Sequence, residues 1–547
     1  MEGQPGGSEQ HLRGSRANRR RLFAGIPDLG GPEPALTRGG YNPPIARVHT
    51  AAVVAQDAGR LLLRQEKSRP AWLADATIAV AVAAGAAVLV FHRLDVSLWF
   101  DETYSYGMAT QPIASYFTHW VWGPESNMLL YYLSLRAWLG VLAAAGQAPV
   151  ELLLRLPSAI FAIASSVMVF LLGRRLFGRA AGVVAASLFA ANFLQMILAQ
   201  NARSYSLQLL LLTASWLCMF IALSSGRRRW WVAYSVTIVL AVYAALFSGL
   251  VILAQVAGLV ALLVLPGPWR DRVWRSRWPA VVSLAISFVF VLPLAVDVLL
   301  HGGPVWVPPA TLTIIRIVVN LMIGDSKAYA ILIFGGAALG VAMAAASYVP
   351  RLASITRATP ETLGPAIAIA FVIPPLCLLA GLAVGSVKVR ALQAVTALAV
   401  LAVAVPPLLS YYPVAEVQDF KTPVQWLQQH YRSGDGIVCY PEVQCAIPID
   451  YYVTAYPGPA ALDAGSPGAF YWTSNTSLTV DGGTIRAYES GHRRIFFIYA
   501  PLGRSPADDQ AAGALEAGLT ADGYHIVDQV RSSANSADTT ILLFEAS

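Results

Sequence analysis

From Trp72 to Ser410 the chain is a succession of apolar runs of roughly 20 residues, separated by short polar or arginine-rich segments. A helix rises about 1.5 Å per residue, so each run is long enough to cross roughly 30 Å of hydrocarbon. The pattern predicts an all-α polytopic membrane bundle over residues 71–410. Spans are expected near Ala71–Val90, Arg155–Gly173, Ala180–Ala199, Ser206–Leu223, Trp231–Phe247, Gly249–Leu265, Pro279–Leu300, Ala328–Val349, Gly364–Gly385 and Leu392–Leu409. The flanks differ. Residues 1–70 are rich in Gly, Pro and Arg, carry no spanning run or cleavage pattern, and read as a disordered, basic, cytoplasmic arm. From Tyr411 the composition turns polar and mixed. A helix-like stretch at Pro423–Tyr431, a Gly434-Asp435-Gly436 turn and strand-like runs at Ile437–Tyr440, Arg494–Ala500 and Thr539–Phe544 predict a small α/β domain over 411–547.

Charge orients the bundle. Arg60, Arg64, Lys67 and Arg69 precede the first span, which holds the N-terminus in the cytoplasm by the positive-inside rule. Reading Met128 to Gly146 as a second span exports Arg174, Arg175, Arg179, Arg270, Arg272, Arg275 and Arg277. Reading it as a helix lying in the outer interface keeps all of them, and Arg227 to Arg229, inside. The outer loops are then Leu94 to Leu154, Gln200 to Tyr205 and His301 to Lys327. Ten spans return the tail to the cytoplasm, whereas Lys388 and Arg390 argue that the last span leaves it, so one span is miscounted or missing.

Composition narrows the function. With 56% hydrophobic and 13% charged residues and a mean hydropathy of +0.56, the chain is not a soluble domain. The net charge of +7 comes from arginine clusters between apolar runs, which orient a membrane protein and do not mark a nucleic-acid partner. Of four cysteines, Cys218 and Cys377 lie in apolar runs; Cys439 and Cys445 fit either an exported disulfide or chance proximity. No phosphate-cradling glycine loop, Cys/His metal cluster or nucleophile elbow is visible.

Two adjacent carboxylates, Asp101 and Glu102, follow the first membrane exit in a loop dense in aromatics: Trp99, Phe100, Tyr104, Tyr106, Tyr116, Phe117, Trp120 and Trp122. Short interfacial helices of that kind hold a carboxylate beside lipid headgroups. The plainer reading makes Asp101 the cap of a helix beginning at Glu102. Neighbouring helical side chains point about 100° apart, so the two acids are expected to have different tasks. Arg155 and Arg203 stand on the same side of the membrane, where a guanidinium either grips a phosphate or snorkels to headgroups. Arg136 is expected to snorkel or to pair with Glu125.

The segments SLWFDETYSY, NMLLYYLSLRAW, ELLLRLPSAIFAIASSVMVFLLGRRLFGRAAG and AQNARSYSLQLLLLTAS occur in one order and spacing. In this the chain resembles the GT-C superfamily of polytopic glycosyltransferases, in particular bacterial relatives of protein O-mannosyltransferases and aminoarabinose transferases. The resemblance covers Ser97 to Leu265 well and the later spans loosely. It implies a GT-C bundle of about 10–11 transmembrane helices in the plasma membrane, interfacial helices in the first outer loop and an extracytoplasmic active site. A sugar, mannose or another, would pass with inversion from a polyprenyl phosphate donor to an acceptor glycan, lipid or protein. Carried over, Asp101 and Glu102 are catalytic, Arg155 and Arg203 meet the donor phosphate, and Tyr104, Asn127, Tyr131, Gln200, Asn201 and Tyr205 are pocket candidates. A divalent ion, if used, would sit on Asp101 or Glu102. The chain departs from many relatives in Asn201, where they carry Glu, in Asn127-Met128-Leu129, where they carry His-Pro-Pro, and in lacking an Arg-Tyr-Leu motif near Thr359 to Gly364. The reading from another class is a transporter or flippase of a lipid-linked substrate, and a third is a membrane scaffold presenting the tail. Few ionisable residues besides Asp297 lie in the apolar runs, which weighs against transport.

Overall fold

The computed structural model describes residues 71–116, 126–265, 267–301, 311–369, 373–503 and 505–547. The expectations for residues 1–70 and for Phe117, Trp120, Trp122 and Glu125 lie outside them. Apolar sequence becomes helix as expected: α1 (Ala71–Phe91), α4 (Glu151–Phe177), α5 (Arg179–Ala190), α6 (Phe193–Ala199), α7 (Tyr205–Ser225), α8 (Arg228–Ala244), α9 (Ser248–Val264), α10 (Pro268–His301), α11 (Leu312–Ile323), α12 (Lys327–Ala346) and α15 (Arg390–Tyr411). The first loop supplies α2 (Phe100–Thr110) and α3 (Leu129–Ala144), and α13 (Pro360–Ala368) and α14 (Ile373–Gly385) precede α15. Among the described residues six helices are long and apolar enough to cross a membrane, seven if α5 and α6, bent by 66° at their junction, form one span. Helices α8 and α9 are shorter but join the same two faces.

Polar ties show which helix ends share a face. On one face Asp75 pairs with Arg174 and Arg179, both at 2.5 Å, and Arg175 reaches Ser224. On the opposite face Gln200 donates to the carbonyls of Val90 and His92, and Asn127 accepts from the Leu246 amide, at the far ends of α1 and α8. Helix α3 begins beside Leu246 and leads to the start of α4 on this same face, so it does not cross, as charge counting requires. Arg136, on α3, donates to the carbonyls of Ala109 and Gln111 at the end of α2.

The parity problem resolves at α13 and α14. The start of α13 lies at the arginine face: Gly364 packs on Leu262 and Trp269, and Trp269 Nε1 donates to the Glu361 carbonyl. Helix α14 ends on that face as well, with the Arg357 amide donating to the Ser386 carbonyl and Gly385 against Ala181. The expected span Gly364–Gly385 is therefore a re-entrant pair that returns to the face it entered. At 9 and 13 residues the two helices are about 14 and 20 Å long, too short to cross, and Pro374-Pro375 opposes a continuous helix. Among the described residues nine crossings and one re-entrant pair replace ten spans, and the tail emerges on the Asp101 face. Gly340 of α12 lets α14 approach so closely that a Cβ there would overlap the Leu379 carbonyl, the small-residue packing that membrane helices favour.

The tail comprises α16 (Lys421–His430), β1 (Gly436–Tyr440), α17 (Glu442–Ala455), the hairpin β2 (Phe470–Tyr471) and β3 (Thr476–Ser477), α18 (Gly482–Glu489), β4 (Arg494–Tyr499), α19 (Pro506–Ala521), β5 (Tyr524–Ser533) and β6 (Asp538–Ala546). The main sheet has the order β1-β4-β6-β5, with β1 parallel to β4 and β6 antiparallel to both neighbours. Cys439 and Cys445 form a disulfide from β1 to α17, which suits an oxidising compartment.

The tail is seated on the first loop. Tyr452 Oη accepts from the Leu98 amide at 2.7 Å and lies 2.9 Å from Ser97 Oγ, which in turn accepts from the amides of Phe420 and Lys421. Glu151, at the start of α4, is held by Lys421 at 3.0 Å and by the Tyr456 hydroxyl. One buried apolar cluster runs from Leu98, Tyr104 and Met108 through Leu135 and Leu154 to Phe420, Ile437, Ile447 and Tyr452. Loop and tail thus bury their apolar faces against each other.

Candidate active site

Asp101 and Glu102 sit in the first turn of α2, where the positive end of the helix favours carboxylates. The helix starts two residues earlier than the capping reading places it, with Trp99 as its cap, and the acid that reaches back to the cap amide is Glu102: the Trp99 N–H donates to Glu102 Oε2 at 3.4 Å. As adjacent helical positions require, the two carboxylates face different ways.

Glu102 is fully buried. Arg155 Nε and Nη2 donate to its two oxygens at 2.7 and 2.6 Å, and the Ala202 amide donates to Oε1 at 2.8 Å. Arg155 also donates to the carbonyls of Leu94, Val96 and Ser97. A guanidinium has five N–H donors, and all five are used. Arg155, expected to meet the donor phosphate, here spends its guanidinium on Glu102 and the loop carbonyls, whereas Arg203 borders the Asp101 cavity. The pair ties the membrane exit, α2, α4 and the loop carrying Arg203 into one unit.

Asp101 turns to a cavity of about 560 Å³ between α2 and the tail. Its side chain is 26% exposed, and Arg203 Nη2 lies 3.6 Å from Oδ2 while Nη1 donates to the Asp101 carbonyl at 3.3 Å. Burial raises the Asp101 pKa above the ordinary carboxylate value, with Arg203 pulling it down and Glu102 adding a smaller push upward. Trp99, Phe100 and Tyr104 line the loop side, and Gln444, Phe470 and Asn475 line the tail side.

The structure therefore brings Asp101, Tyr104 and Arg203 together. Gln200 and Asn201 line a second, smaller cavity of about 220 Å³ with Glu102 and Arg155. Gln200 is anchored by Val90, His92 and the Tyr411 hydroxyl, whereas Asn201 Oδ1 is buried with no hydrogen-bond partner among the described residues. Asn127, Tyr131 and Tyr205 border neither cavity. Asn127 caps the turn after α8, Tyr131 bonds Ser158 at 3.0 Å, and Tyr205 packs into the cluster shared with the tail. The structure does not bring these three pocket candidates to the Asp101 cavity. Among the described residues no group of three or more His, Cys, Asp or Glu is placed to hold a metal. Of the two carboxylates only Asp101 is open to the larger cavity, so it is the one able to ligate a divalent ion there.

Sequence reasoning missed the tail wall. Its signal is the aromatic run Phe470-Tyr471-Trp472 in an otherwise polar segment, followed by Asn475. The Trp472 ring lies tilted 5.4 Å from Tyr104 and edge-on 4.9 Å from Phe470, and it fills the space left by Gly107, where any side chain would overlap the indole. Gly107→Val is expected to push the hairpin off α2, costing about 1–3 kcal/mol and lowering activity beyond the loss of folded protein. Thermal unfolding with activity per folded molecule checks it; unchanged activity would show that the hairpin does not shape the cavity.

Residues 128–296, which include Arg155 and Arg203 and begin after Asp101, match the family model described as dolichyl-phosphate-mannose-protein mannosyltransferase. No curated protein matches the chain. Among solved structures it is similar to ArnT from Cupriavidus metallidurans in the apo state, at 13% identity and a TM-score of 0.49, covering 84% of this chain and 97% of that one. The same ArnT bound to undecaprenyl phosphate gives the same values. The apo oligosaccharyltransferase of Archaeoglobus fulgidus is similar at 13% identity and a TM-score of 0.45, covering 76% of this chain and 69% of that one.

Proposed function

We propose that the chain is a polytopic glycosyltransferase of the GT-C superfamily, which moves a sugar, mannose or a related one, from a polyprenyl phosphate to a hydroxyl acceptor at the extracytoplasmic face of the plasma membrane. The observation that carries the reading is the Asp101 carboxylate opposite Arg203 in the cavity roofed by the tail. The arginine clusters stand on the other face, which the positive-inside rule makes cytoplasmic. The family description of residues 128–296 supports a lipid phosphate as the donor.

The acceptor oxygen attacks the anomeric carbon from the side opposite the phosphate, and its proton passes to Asp101. The bond from anomeric carbon to phosphate oxygen breaks, and its electron pair leaves with the lipid phosphate, so the configuration inverts. Phosphate is a good leaving group, so holding the reactants in line and stabilising charge supply most of the acceleration. Arg203 is the cation beside that charge. Glu102 and Arg155 position it, because Glu102 holds the Ala202 amide one residue away.

Membranes containing the chain, supplied with radiolabelled polyprenyl phosphate mannose or arabinose, are expected to move label from the lipid to an acceptor. Label that stays on the lipid in every case would refute the proposal. The base must be ionised, so activity is lost as pH falls through the raised Asp101 pKa, and the acid limb of the kcat/KM profile is expected on the alkaline side of an ordinary aspartate's. Arg203→Gln removes the cation that lowers this pKa and should move the limb further toward alkaline pH. A limb that stays in place in that variant would contradict the pairing.

A further inference from the structure

We infer that the tail wall of the cavity, built by Gln444, Phe470 and Asn475, is the subsite for a neutral saccharide acceptor. The inference rests on the transferase reading above. A polyprenyl chain remains in hydrocarbon, so the donor reaches Asp101 from the bilayer, and a wall supplied by the polar tail meets what arrives from water. Among the described residues that wall, completed by Val443 and Leu502, carries no ionised side chain to balance a formal charge on a ligand. It offers a flat aromatic face and two carboxamides, each both donor and acceptor. Aromatic faces cover the C–H side of a sugar ring and carboxamides bond its hydroxyls, the combination of apolar lining and a few placed polar groups that fixes a small polar ligand.

The wall is held in register with the catalytic helix. Gln444 Oε1 accepts from the Leu502 amide at 2.6 Å, which fixes the amide plane. Phe470 is braced by Trp472, itself wedged on Gly107 and Tyr104. Asn475 turns at the hairpin tip with a φ of 52°, in the left-handed region that asparagine tolerates better than most residues. A sugar lying on Phe470 has Asp101 across the cavity, where its hydroxyl would give up a proton.

The test uses the full chain in detergent with radiolabelled polyprenyl phosphate mannose as donor and two kinds of acceptor. One is a set of neutral oligosaccharides built from glucose, galactose, mannose, rhamnose or arabinose; the other is a Ser/Thr-rich peptide. Transfer to at least one oligosaccharide is expected, and Phe470→Ala and Asn475→Ala are each expected to raise its KM about tenfold, beyond any change in the donor KM. Release of mannose to water by the wild type, measured without acceptor, reports on the transferase reading separately. If the donor is cleaved but no oligosaccharide accepts, the saccharide subsite is wrong while the transferase reading stands. Transfer to the peptide alone, or an equal rise in both KM values, overturns the subsite too. An uncleaved donor overturns both readings.

Discussion

Arg155→Ala is expected to cost about 3–5 kcal/mol of stability and to leave little folded protein in the membrane, because it strands a fully buried carboxylate. Truncation also removes the donors serving the carbonyls of Leu94, Val96 and Ser97, which buried backbone cannot forgo cheaply. Glu102→Ala should be similarly damaging, since it leaves the guanidinium uncompensated. Replacing both together, as Glu102→Gln with Arg155→Met, should recover part of the loss by removing both charges. Thermal unfolding in detergent across this double-mutant cycle measures the coupling. Independent, additive effects of the two single changes would contradict the role of the pair as the organiser of the first loop.

Asp101→Asn is expected to reduce transfer by about 10²–10⁴-fold, the range of general-base assistance. The change keeps the shape of the side chain and removes its basicity. Asp101 makes no buried pairing like that of Glu102, and its contact with Arg203 is long at 3.6 Å, so melting should move little. A large activity loss with an unchanged melting temperature separates chemistry from folding, which Glu102 and Arg155 variants cannot do.

Most of the bundle was legible in the sequence because lipid admits few solutions: an apolar run of 20 residues becomes a spanning helix, and arginines report which end is inside. The non-crossing α3 followed from the same charges. The stretch from Gly364 to Gly385 misled because its length and hydropathy match a span, and only packing against α9, α12 and α5 shows that it turns back. That Asp101 and Glu102 face different surroundings was readable from the 100° between neighbours. Which of them is buried was not, since that depends on Arg155, more than 50 positions away in the chain. The contacts of Arg155 were hidden for the same reason: a guanidinium at a membrane boundary serves either a phosphate or its own loop, and its five carbonyl and carboxylate contacts appear only in three dimensions. Gln444, Phe470 and Asn475 were invisible as site residues because the tail's docking on α2 is set by side-chain complementarity, which no local periodicity records.

The most direct test is single-turnover transfer from prebound radiolabelled polyprenyl phosphate mannose, with wild type and Asp101→Asn compared at equal amounts of folded protein. The result expected is rapid release of label from the lipid by the wild type and a rate lower by at least about 10² in the variant, with the donor still bound. Equal rates in the two proteins would contradict the assignment of Asp101 as the base.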